Sequence, residues 1–173
     1  MMKDKGYVQI YTGNGKGKTT AAIGLAIRAA GAGYKVLFAQ FVKGLPYSEH
    51  KALEKFDNIT VKQFGREGFI HSKPTEEDIK KAKEGYEFVK NALKNNEYDV
   101  IIMDEANIAV FFNLFSDDDL IKLIEEKPSN TELVITGRYA TDKLIEKADL
   151  VTEMREIKHY YQKGVQARVG IEK

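Results

Sequence analysis

The chain holds 173 residues, with 27 lysines and arginines against 26 aspartates and glutamates, and no cysteine. That length suits one domain, residues 1–173, with a real core. The balanced charge gives no global field for nucleic acid, a membrane or a strongly acidic partner, and the missing cysteine excludes disulfides and thiolate metal sites. No apolar run approaches membrane-spanning length, so the sequence predicts a cytoplasmic protein with no membrane and no nucleic-acid partner.

Apolar runs alternate with helical patterns along the chain. Residues 7–12 (YVQIYT) read as a buried strand, and the alanine-rich 18–33 as a helix ended by glycine. Residues 35–41 (KVLFAQF) read as a second strand, 48–56 as a short helix and 59–64 (ITVKQF) as a third strand. An irregular loop, GREGFIHSKP, fills 65–74. Thr75, with Asp78 three residues on, marks a capping box. Behind it Ile79, Ala82, Tyr86, Val89 and Leu93 recur at helical spacing. Next come a strand ending in carboxylates (99–105, DVIIMDE), a serine-capped helix (116–126) and a strand (131–138). A helix at 141–148, a last long strand at 150–157 and a glycine-punctuated tail complete the order. This alternation predicts an α/β fold of three layers, α/β/α, around a mostly parallel sheet. Ligands are expected at the carboxyl ends of its strands.

The run TGNGKGKTT joins the first strand to the first helix, the setting a phosphate-binding loop requires. Together with the alternation it predicts a RecA-like P-loop nucleotide-binding fold. Its spacing is short: only Asn14, Gly15 and Lys16 separate Gly13 from Gly17-Lys18-Thr19, and counting back the usual distance lands on Thr12. Glycines let backbone N–H groups converge on an anion, and the helix N-terminus adds unsatisfied donors. Gly13, Asn14, Gly15, Lys16, Gly17, Lys18, Thr19 and Thr20 are therefore the expected nucleotide-binding residues, with Lys18 reaching across a polyphosphate and the Thr19 hydroxyl on Mg²⁺. Asp104 and Glu105 end an apolar strand, where one carboxylate can hold Mg²⁺ and the other can position a water or orient a partner. Metal ligation is thus expected from Thr19, Asp104 and Glu105, and catalysis from Lys18, Thr19 and Glu105. Arg138 closes the strand VITGR, where a guanidinium suits phosphate recognition. Arg28, ten residues beyond Lys18, either reaches the ligand or makes a structural pair. These features fit a RecA-like ATPase acting on nucleic acid or a small-molecule kinase as well as other ATP chemistry.

The runs GNGKGKTTAA, QFVKG, VIIMDE, VITGR and KHYYQKGVQARVGI together resemble the ATP:corrinoid adenosyltransferase family of the P-loop type, often called cob(I)alamin adenosyltransferase. The resemblance runs from Tyr7 to Ile171. It implies transfer of the 5′-deoxyadenosyl group of ATP to Co(I) of a reduced corrinoid, with triphosphate as leaving group and Mg²⁺ as cofactor. It also implies a flavoprotein reductant and a homodimer. The family's loop is one residue shorter than usual and goes with a reversed triphosphate, which the Gly13–Gly17 spacing matches. Phe69 falls where the family has a phenylalanine that favours a four-coordinate corrinoid, and His71 where the enterobacterial type has a tryptophan. Both are counted as corrinoid-binding positions, although histidine is smaller and can itself ligate cobalt. Only Met1 to Gly6 precede the first strand, so the N-terminal cover of the enterobacterial type is expected to be short, missing or replaced. AVFFNLF (109–115) reads as core, and His50 and His159 show no metal-ligand spacing.

Overall fold

The strands order themselves by how apolar they are. The computed structural model describes residues 5–68, 70 and 73–172; Phe69 and His71 lie outside the described residues. Six strands form one all-parallel sheet in the order β3-β2-β4-β5-β1-β6. They are β1 (Val8–Thr12), β2 (Val36–Phe41), β3 (Ile59–Phe64), β4 (Val100–Asp104), β5 (Glu132–Thr136) and β6 (Leu150–Glu153). Every residue of β2, β4 and β5 is buried, as befits interior strands covered on both faces. β6, at one edge, is exposed throughout.

Alternate side chains feed two cores, because successive strand residues point to opposite faces. Val36 and Phe38, Val100 and Ile102, and Val134 pack on one side with Ala22, Ala26, Ala29 and Ala30 of α1 (Lys18–Gly31) and Leu53 of α2 (Ser48–Leu53). Leu37, Phe41, Ile101, Met103, Leu133 and Ile135 face the other side. There they meet α3 (Glu76–Lys94), α4 (Ala106–Phe111), α5 (Asp117–Glu126) and α6 (Asp142–Lys147). The result is the three-layer α/β/α fold expected from the sequence, with the sheet fully parallel. No helix among the described residues is long and apolar enough to cross a membrane.

Both foreseen helix starts form. Thr75 Oγ1 accepts from the Asp78 N–H at 3.2 Å while Asp78 Oδ2 accepts from the Thr75 N–H at 2.8 Å. Ser116 and Asp119 make the same reciprocal pair. Two expectations are corrected. The last strand stops at Glu153 rather than running to 157, because the Met154 carbonyl turns to accept the Gly15 N–H at 2.6 Å. The segment 109–115 is not uniformly core: Ala109, Leu114 and Phe115 are buried, whereas Phe111 is 52% exposed and stacks on Tyr139 with ring centroids 4.3 Å apart.

Gly85, in the middle of α3, shows how closely this helix approaches the sheet. A Cβ there would stand 2.5 Å from Phe64 Cγ and 2.8 Å from Phe41 Cε1. Helix propensity alone favours alanine by about 1 kcal/mol, but inserting a methyl into a packed core costs about 1–3 kcal/mol. Gly85→Ala is expected to lower the midpoint of thermal unfolding by several degrees, measured by circular dichroism; an unchanged or raised midpoint would mean that the Phe41 and Phe64 rings move aside freely.

Candidate nucleotide and corrinoid site

The carboxyl ends of the strands open into a cleft of about 740 Å³. Asn14, Gly15, Lys16, Gly17, Lys18, Thr19 and Thr20 line it from the loop between β1 and α1. Lys43, Glu105 and Arg138 come from the ends of β2, β4 and β5. Ile23, Val42, Ile70, Ile108 and Phe112 give it apolar wall. Thr12, which the usual spacing would make the first loop residue, is instead the last of β1. Its hydroxyl accepts the Ala140 N–H at 3.3 Å, so the loop proper begins at Gly13. Gly13 has φ 94°, and Gly15 runs so close to the chain after β6 that a Cβ would lie 2.7 Å from Met154 O. Both positions therefore need glycine, one for its backbone angle and one for its close approach.

Lys18 is buried under this loop. Its Nζ donates to the carbonyls of Gly13 and Gly15 at 2.8 and 2.7 Å, which fixes the loop's curvature from inside. Burial pushes the Lys18 ammonium below its usual value, with Glu105 pulling the other way. Lys16 projects outward and is held by the tail, donating to Ile171 O and to Glu172 Oε1, each at 2.9 Å. Tyr160 and Arg168 join the same carboxylate. These hydrogen bonds, from Arg168 first, hold Glu172 well below the ordinary carboxylate range.

Below the loop lies a row of polar side chains at the C-terminal ends of three neighbouring strands. Gln40 of β2 pairs in register with Asp104 of β4, and Thr136 of β5 follows on the same face. The row continues the columns Val36–Phe38, Val100–Ile102 and Val134 that carry α1. Asp104 is fully buried and completely hydrogen-bonded. Its Oδ1 accepts from the Thr19 hydroxyl at 2.9 Å and the Thr136 hydroxyl at 2.6 Å, and its Oδ2 from Gln40 Nε2 at 2.9 Å. Glu105 leaves the strand in a left-handed conformation, φ 61°, with its N–H donated to Thr136 Oγ1. The usual alternation of strand side chains therefore stops at Asp104, and both carboxylates reach Lys43 Nζ, at 3.8 and 3.6 Å. Burial works against the Lys43 charge, yet Asp104 and Glu105 hold its ammonium above the usual value. Burial raises the Glu105 carboxyl, and Lys43 opposes that shift.

The residues expected from sequence are thus mostly brought together, and Arg138 lines the same cleft from the turn Gly137–Tyr139. Arg28 is exposed in the last turn of α1, about 15 Å along the helix from Lys18, and is not among the cleft's lining residues. Lys43, Gln40, Thr136 and the tail residue Glu172 were not singled out beforehand. Lys43 was in view within QFVKG, as a cation just beyond a buried strand. The oxygen donors Thr19, Asp104 and Glu105 suit a hard divalent cation. Among the described residues no three His, Asp or Glu side chains cluster to cage one.

Comparison with known proteins agrees with this geometry. The family described as ATP:corrinoid adenosyltransferase BtuR/CobO/CobP matches residues 4–172. The Corrinoid adenosyltransferase of Escherichia coli (strain K12) is 34% identical, over 98% of this chain and 86% of that protein. A Corrinoid adenosyltransferase of Sinorhizobium sp. is 35% identical, over 98% and 81%. Corrinoid adenosyltransferase CobA of Salmonella typhimurium is 33% identical, over 98% and 87%.

Proposed function

The chain belongs to the ATP:corrinoid adenosyltransferase family, and from that premise we propose how its cleft carries out the transfer. The enzyme adenosylates corrinoids at the expense of ATP. Co(I) of the reduced corrinoid attacks C5′ of the ribose, the C5′–O bond breaks, and triphosphate leaves with the bond's electron pair. The observation that carries this reading is one cleft that joins a short phosphate loop to an apolar wall, with Thr19 at its lining bonded to the buried Asp104.

The protein's own groups act on the leaving group and on orientation. The loop N–H groups and Lys18 hold the triphosphate, and Lys18 exchanges its loop carbonyls for phosphate oxygens as the nucleotide enters. Lys16 exchanges Glu172 for phosphate in the same way, and Arg138 neutralises charge from the opposite wall. Such donors are most effective where charge develops, here at the triphosphate's α end. Thr19, Asp104 and Glu105 would hold Mg²⁺, the carboxylates directly or through water. When bound, Mg²⁺ would supply positive charge to the triphosphate. Ile70 and Phe112 belong to the wall that faces the corrinoid and excludes water. Phe69, next to Ile70 in sequence, acts on the corrinoid's axial ligand, and His71 is a corrinoid-binding residue in place of the family's tryptophan. No protein nucleophile is required, since the metal of the substrate forms the new bond.

A flavoprotein supplies the electron that takes Co(II) to Co(I), the working unit is a homodimer, and residues 1–173 act as one domain in the cytoplasm; these follow the family resemblance. The nucleic-acid ATPase and kinase readings are not favoured by the relatives. ATP, Mg²⁺ and chemically reduced cobalamin are expected to give one triphosphate per light-sensitive Co–C product. Release of ADP and phosphate without an alkylated corrinoid would overturn the proposal.

A further inference from the structure

We infer that His50 is a positioning residue for Asp104, acting through the side-chain amide of Gln40. His50 is 5% exposed and has two partners. Its Nδ1 accepts the Tyr47 N–H at 3.0 Å, within the first turn of α2. That contact leaves the proton of the neutral ring on Nε2, which donates to Gln40 Oε1 at 3.0 Å. Gln63 Nε2 donates to the same oxygen at 3.1 Å and to Leu45 O at 2.9 Å. Two donors on Oε1 fix the Gln40 amide so that its NH₂ meets Asp104 Oδ2 at 2.9 Å. The opposite oxygen then faces Thr19 and Thr136.

The chain of contacts begins at backbone groups of Leu45 and Tyr47, in the segment after β2 that also carries Lys43 into the cleft. It therefore ties the placement of that segment to the orientation of the carboxylate beneath the phosphate loop. Without the His50 donor, Gln63 alone opposes a flip of Gln40 that would set oxygen against oxygen at Asp104. Outer partners of this kind orient the groups that hold a metal. The inference rests on the reading that Asp104 orients the Mg²⁺ of MgATP.

Two substitutions separate the contacts of His50. In His50→Asn the amide oxygen replaces Nδ1 as acceptor for the Tyr47 N–H, but no donor reaches Gln40. In His50→Gln the amide nitrogen stands near the position of Nε2 and keeps the Gln40 contact, while the acceptor for Tyr47 is lost. ATP binding is measured by calorimetry across a Mg²⁺ series, and thermal unfolding without nucleotide. His50→Asn is expected to raise the Mg²⁺ concentration for half-maximal binding on the order of 10-fold, and His50→Gln to restore most of it. Thermal midpoints are expected in the reverse order, with His50→Gln the less stable. A purely structural His50 would give one order in both measurements and overturn the inference. Asp104→Asn is the reference. If it shifts the Mg²⁺ dependence and His50→Asn does not, positioning by His50 is overturned while the role of Asp104 stands. If Asp104→Asn shifts nothing, the metal reading of Asp104 falls, and the inference with it.

Discussion

Lys18→Ala is expected to lower kcat/KM for adenosyl transfer by at least about 10²–10³-fold, the range seen when one donor to a developing anion is removed. The chain is expected to stay folded. Lys18 is the only loop cation aimed inward, bonded to the Gly13 and Gly15 carbonyls, while Lys16 is engaged by the tail. Burial works against its charge in the free protein, with Glu105 opposing. What the side chain contributes is realised when the triphosphate arrives and becomes a leaving group. Loss of the two carbonyl contacts loosens the loop, and circular dichroism with thermal melting separates that effect from the catalytic one. The decisive measurement is a single turnover with pre-reduced cobalamin, which bypasses electron delivery. Full activity in the folded variant would remove Lys18 from the mechanism.

What the sequence made legible follows from locality. Strand–helix alternation, the loop's position between β1 and α1, and the Thr75–Asp78 and Ser116–Asp119 caps depend on residues a few positions apart. Helix α4 escaped notice because its residues, ANIAVF, are nearly all apolar and have no capping side chain or charged turn to mark a start, and nothing in glutamate announces the left-handed turn at Glu105. Gln40 and Thr136 look like polar ends of apolar strands until the register sets both beside Asp104 and α1 lowers Thr19 onto that carboxylate. That information is long-range and depends on strand order. The tail is similar: its chain after Lys158 has little periodicity, and its meaning comes from Glu172 reaching Lys16 across the cleft. Phe111 misled because a dense aromatic run suggests core, whereas a short helix at the rim can bury only one side.

Asp104→Asn is expected to cost at least about 100-fold in kcat/KM, the upper end of what losing a partner at a metal site does, and to raise the Mg²⁺ requirement. The direction follows from the three donors that meet the carboxylate. Asparagine must place its NH₂ against either Gln40 or the two threonines. Gln40 cannot turn to accept it while His50 and Gln63 both donate to its Oε1. The hydroxyls of Thr19 and Thr136 rotate freely, so the new amide oxygen stays toward Gln40 and the NH₂ points at the threonines. Thr19 then gives one of its two lone pairs to that NH₂ and keeps one for a cation, while the site has lost a negative charge. Lys43 keeps Glu105 as its counter-charge, so no buried cation is abandoned. Gln40 keeps its acceptor, but the buried Thr136 hydroxyl loses its own, so stability should fall by about 1–3 kcal/mol. Asp104→Ala, by contrast, strands three donors at about 1–3 kcal/mol each and would confuse unfolding with lost catalysis. Triphosphate release at several Mg²⁺ concentrations tests the asparagine variant; wild-type rates at low Mg²⁺ would show that Asp104 orders the fold without serving the metal.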